Sequence, residues 1–139
     1  MQWINEKDLA IWARRTDART LLIDMVADLI RATVHDADLF RFRFPGGDAG
    51  QLRGWDGDLD VSKAFGLIPA GKSKWEFGVG AGATKASKDY KKRTGETSAK
   101  VIAESALVLV NLEAWDTPRI KLTEWEEKRN AEGKWREVK

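Results

Sequence analysis

Residues 106–112, Ala-Leu-Val-Leu-Val-Asn-Leu, form a run broken by only one polar side chain. A strand of that composition is buried on both faces, which is how strands of a parallel sheet covered by helices read. The chain before it supplies the covering material and further strands. Residues 17–34 place Leu21, Leu22, Met25, Val26, Leu29, Ile30 and Val34 on one helical stripe, with Thr16 or Asp17 available as a cap. Residues 39–44 alternate apolar and basic side chains as a half-buried strand does, and Pro45-Gly46-Gly47 stops them.

A Gly-rich loop to Gly54 leads into a second strand, 55–61. After turn chemistry at 68–72 a third strand spans 73–79, with Trp75, Phe77 and Val79 on one face and Lys74, Glu76 and Gly78 on the other. Residues 78–82 break it, and Thr84 is placed to cap a helix that Lys85 opens and that runs to Arg93, with Ala86 and Tyr90 facing inward. Beyond the apolar strand, Leu122–Ala131 carries the helical pair Glu124 and Lys128, Gly133 ends that helix, and 135–139 begins a last strand. Residues 95–105 carry no clear pattern. The element order α-β-β-β-α-β, then α-β, predicts an α/β fold with a mixed central sheet flanked by helices.

With 139 residues, 42% of them hydrophobic, the chain can bury one core, so 1–139 is read as a single domain. A final strand cut short suggests an N-terminal fragment of a longer protein. No apolar run reaches the roughly 20 residues of a membrane span, and the first residues lack a signal peptide's apolar stretch, so a cytoplasmic location is expected. Zero cysteines exclude disulfides and thiolate metal sites. A single histidine, His35, excludes most imidazole-based nuclease and zinc chemistry; its place after a helix suits a cation near the helix dipole. Trp3, Trp12, Trp75, Trp125 and Trp135 are most simply packing residues.

What remains is oxygen-ligand and phosphate chemistry. Asp56, in Gly54-Trp55-Asp56-Gly57, and Glu76, in residues 73–78, both fall on polar strand faces, and antiparallel neighbours bring such side chains within about 5 Å. A hard divalent cation such as Mg²⁺ or Mn²⁺ takes anionic oxygen ligands, and a water attacking phosphate needs a cation beside it to react as hydroxide. Residues 72–100 hold eight Lys or Arg against Glu76, Asp89 and Glu96, a balance that suits a phosphate partner or, alternatively, a solvated helix face.

Among these, Lys88, Lys91, Lys92 and Arg93 are candidates for tracking a nucleic-acid backbone, although Arg93 has the second option of pairing with an acidic neighbour. Asp58 and Asp60 share the face of Asp56 and read first as solvated strand residues, with the metal site as the alternative. Arg41 and Arg43 read as surface charge. Residues 78–85 do not meet the triphosphate-binding pattern, because Thr84 precedes Lys85 instead of following it.

Phe44-Pro45-Gly46-Gly47, Gly54-Trp55-Asp56-Gly57, Ser73-Lys74-Trp75-Glu76-Phe77-Gly78, Lys85-Ala86, Asp89-Tyr90, Arg93-Thr94 and the ending from Trp125 through Trp135-Arg136-Glu137-Val138 together resemble the PD-(D/E)xK, restriction-endonuclease-like nucleases. The nearer likeness is to the N-terminal nuclease domain of large bacterial NTPase-linked proteins of anti-phage defence. The resemblance implies a restriction-endonuclease-like core and a Mg²⁺-dependent deoxyribonuclease in which Asp56 and Glu76 hold the metal. It also implies double-stranded DNA as partner and an NTPase-containing remainder of the chain, with self-assembly a way for two sites to address both strands.

Such nucleases usually carry lysine two residues after the second acidic residue. Here that place is Gly78. A transition state responds to an ammonium at the right point in space, whichever backbone atom carries it, so Lys85 is the first candidate to replace the missing lysine, Lys88 the second and Lys74 the third. Without any of them, the same fold would serve as a catalytically inactive nucleic-acid-binding or protein-docking module.

Overall fold

A computed structural model describes residues 4–45, 54–80, 82–113, 115 and 121–139. Helix α1 (Glu6–Ala13) opens on a reciprocal cap: Asn5 Oδ1 accepts from the Lys7 and Asp8 amides, and Asp8 accepts from the Asn5 amide at 3.0 Å. Helix α2 (Ala18–Thr33) follows, and a single 3₁₀ turn (Asp36–Asp38) leads into β1 (Leu39–Arg43). Strands β2 (Gly57–Val61) and β3 (Gly71–Gly78) come next, then helices α3 (Gly82–Glu96) and α4 (Ala99–Glu104). The chain closes with β4 (Ala106–Asn111), α5 (Leu122–Ala131) and the two-residue β5 (Glu137–Val138).

The five strands form one sheet in chain order, with β1, β2 and β3 antiparallel and β3, β4 and β5 parallel. Parallel neighbours need a crossover; α3 and α4 make the one between β3 and β4, and α5 the one between β4 and β5. The expected mixed sheet with flanking helices is therefore present. Alternation along β4 divides the core between the two faces. Val108 joins Leu59, Val61, Trp75 and Phe77 against Leu22, Ile23 and Ile30 of α2. Its neighbour Leu107 joins Ala86, Tyr90, Ile102, Trp125, Trp135 and Val138 on the other side. Trp12 packs partly buried against the first cluster, in line with a packing role; Trp3 lies outside the described residues.

Several local expectations change. The buried face of α2 is Ala18, Leu22, Ile23, Ala27 and Ile30, so Leu21, Met25 and Leu29 of the expected stripe point to solvent. Seven apolar residues spread too widely around a helix to bury together, and the small Ala18 and Ala27 take the sheet-facing side. Asp17 stands at the N-cap but makes no capping hydrogen bond, pairing instead with Arg15 at 2.9 Å. Helix α3 begins at Gly82, so Lys85 lies one turn inside it and Thr84 is a helical residue, not its cap. Residues 95–105 contain α4, capped by Ser98. The Gly46-Gly47 stop and the loop through 53 fall outside the described residues. Among the described residues no helix is long and apolar enough to cross a membrane.

Candidate functional site

Asp56 stands one residue ahead of β2. It is followed by Gly57, where a Cβ would lie 2.8 Å from Trp75 Cβ and overlap the Phe44 ring, so the backbone there passes too close to aromatic packing for any side chain. The register Gly57↔Trp75 carries the chain one step on to set Asp56 beside Glu76, and the Phe77 amide donates to Asp56 Oδ2 at 3.0 Å. Both carboxylates are sheltered, Asp56 at 4% exposure and Glu76 at 7%.

Glu76 faces α3, which presents Lys85, Asp89 and Arg93 at steps of four residues along the side turned to β3. Arg93 Nη2 lies 2.5 Å from Glu76 Oε1 and donates to the Gly54 carbonyl at 2.7 Å, while its guanidinium stacks 4.6 Å over the Trp55 ring. Lys85 Nζ pairs with Asp89. Gly78 lies on the face of Glu76, two residues on. A Cβ there would meet Lys85 Cγ at 2.9 Å and Cε at 3.2 Å, so the Lys85 stem crosses the space a side chain at 78 would use. A cavity of about 150 Å³ opens beside Glu76, Gly78, Lys85 and Asp89, with Asn111 and Trp125 on its far wall.

Asp56 has a cation of its own. Arg19, from the first turn of α2, donates through Nη2 to Asp56 Oδ1 at 2.9 Å and Oδ2 at 3.0 Å. Three ion pairs thus stand in this region, Arg19 with Asp56, Arg93 with Glu76 and Lys85 with Asp89. Burial first, and then the neighbouring Asp56 charge, push the Glu76 carboxyl up to about 7, with Arg93 acting in the opposite direction.

These groups suit a divalent cation in donor type. The donors are carboxylate oxygens, and an added positive charge would relieve the repulsion between Asp56 and Glu76. Among the described residues no three or more His, Cys, Asp or Glu converge as a complete cage. A Mg²⁺-like ion held by two carboxylates keeps several waters and takes substrate phosphates as its other ligands, so a pair is enough for that ion.

Of the residues singled out from sequence, Asp56 and Glu76 stand side by side, and Lys85 lines the cavity beside Glu76 with its ammonium on Asp89. Lys88, Lys91 and Lys92 are exposed on α3. Arg93 takes its second option and pairs inward with Glu76, which removes it from the outward phosphate-tracking group. Lys74 is committed to Asp58 at 3.0 Å, and Arg41 Nε reaches the same carboxylate at 2.6 Å, so Asp58 is an ion-paired strand residue and Arg41 its partner. Sequence reasoning did not single out Arg19, Trp55 or Asp89 for the site. The spacing of Lys85, Asp89 and Arg93 could have revealed Asp89; nothing local marks Arg19. No protein-family model, curated protein or solved structure matches this chain.

Proposed function

We propose that this domain is a divalent-cation-dependent endonuclease hydrolysing phosphodiester bonds, with double-stranded DNA as its substrate. One observation carries the proposal: two buried, mutually repelling carboxylates lie beside a lysine whose stem fills the place of the side chain Gly78 lacks. Asp56 and Glu76 would hold the cation, Mg²⁺ or Mn²⁺. When bound, it supplies a more acidic water and a polarised phosphoryl oxygen. The chain's own groups do the rest. The Phe77 amide fixes Asp56, and Asp89 holds Lys85 so that its ammonium meets the charge growing on the phosphate. Lys88, Lys91 and Lys92 grip flanking phosphates without reading sequence. The resemblance to PD-(D/E)xK nucleases extends the proposal to service as the effector of a bacterial anti-phage defence protein, joined to an NTPase-containing remainder.

A second reading, a non-catalytic nucleic-acid-binding or docking module, is favoured by the arginine already standing on each carboxylate. Plasmid cleavage in Mg²⁺ and in EDTA separates the two. The nuclease proposal expects cutting only with Mg²⁺, and a loss on the order of 10²- to 10³-fold in Asp56→Ala, Glu76→Ala and Lys85→Ala. It also expects recovery when Gly78→Lys is added to Lys85→Ala, since removing the Lys85 stem frees that space. Equal cutting by all variants overturns the assignment, and salt-sensitive binding without cutting selects the second reading.

A further inference from the structure

The two arginines on the carboxylates differ in how firmly they are held. Arg93 is 16% exposed and anchored three ways, by Glu76, by the Gly54 carbonyl and by the Trp55 ring. Arg19 is 49% exposed, and among its described contacts only Asp56 holds its guanidinium. Its single Nη2 bridges both oxygens of Asp56, and Oδ2 also accepts from the Phe77 amide. Asp56 therefore has no oxygen clear of Arg19, and a cation that takes Asp56 as a ligand has to displace it.

We propose that Arg19 is an exchangeable occupant of the site, which rests on the cation-dependent reading above: it covers Asp56 in the cation-free protein and, once displaced, binds a phosphate of the nucleic-acid substrate. Geometry supports both halves. A long side chain at the start of α2, half in solvent, can turn away from the buried Asp56 when an incoming cation takes over the neutralisation of that carboxylate, because its own guanidinium then returns to water. The displaced guanidinium remains close to the cation and any phosphodiester it engages, and its planar donors suit phosphate oxygens. Arg93, locked by its carbonyl and ring contacts, stays in place and keeps Glu76 oriented.

The two roles give effects of opposite sign, which a merely structural ion pair does not. Binding of Mn²⁺, followed by the paramagnetic resonance signal of the free ion, is compared in the wild-type chain, Arg19→Gln and Arg93→Gln. Binding of a duplex oligonucleotide carrying non-hydrolysable linkages is measured in Mn²⁺ over a range of salt. Arg19→Gln is expected to tighten Mn²⁺ binding severalfold, because no guanidinium then competes for the buried Asp56 carboxylate. It is also expected to weaken the duplex and to lower the salt slope by about 0.9, the share of one neutralised phosphate. Arg93→Gln is expected to weaken Mn²⁺ binding, because Glu76 loses its anchor. If Arg19→Gln leaves Mn²⁺ affinity unchanged or lowers it, or leaves the salt slope unchanged, the exchange is wrong although the nuclease proposal survives. If the wild-type chain binds no Mn²⁺, or Asp56→Asn binds it equally well, the cation site itself falls and the exchange with it.

Discussion

Glu76 carries its charge in an unfavourable place. It is 7% exposed and lies near the Asp56 and Asp89 carboxylates, so it holds its proton up to about pH 7 against an ordinary value of 4.5. Within that window the folded chain binds more protons than the unfolded one, and stability therefore falls as pH rises. This contribution is fully present below about pH 4.5 and lost above about pH 7, a change of roughly 3 kcal/mol. Glu76→Gln has no such proton to lose. In urea unfolding it is expected to gain on the wild type by about that amount between pH 4.5 and pH 8; a gap that does not move with pH would contradict the burial argument. Asp56 and Glu76 were legible in the sequence because alternation put both on polar faces and glycines bracket Asp56. Arg19 was not, since its partner lies 37 residues away and no local pattern foretells that approach.

At the scale of elements, α3 serves the nuclease proposal twice. Its inner side carries Lys85, Asp89 and Arg93 to β3, and its outer side presents Lys88, Lys91 and Lys92 to solvent. Replacing those three outer lysines with alanine is expected to change stability by no more than about 1.5 kcal/mol, about 0.5 for each surface change. Nucleic-acid binding should weaken in all sequences alike, the salt slope falling by about 0.9 for each phosphate that the variant no longer neutralises. An unchanged slope would show that this face meets no phosphate. The helix itself was readable from Ala86 and Tyr90, but it starts three residues earlier than its sequence suggests, because glycines at 78, 80 and 82 read as a break. Short α1 and α4 give no periodic signal: eight and six residues leave little room for a period to show, and only caps such as Asn5 with Asp8 mark them.

Over the whole molecule, the apolar run at 106–112 fixed the plan. It becomes the strand where the sheet is parallel on both sides, and its two faces feed the two core clusters. Strand types followed from alternation and turn residues; the sheet order, strictly that of the chain, depends on long-range pairing that one sequence does not display. That order brings the end of β3 against α3 and the start of β2, and so sets Asp56 beside Glu76 and the Lys85 stem over Gly78. Crystals of the chain soaked in Mn²⁺ and measured for anomalous scattering test this most directly. The account expects a peak bridging the Asp56 and Glu76 carboxylates, with Arg19 turned away and the Lys85 ammonium beside it. Crystals with no peak at that pair, and with Arg19 still seated on Asp56 at saturating Mn²⁺, would contradict it.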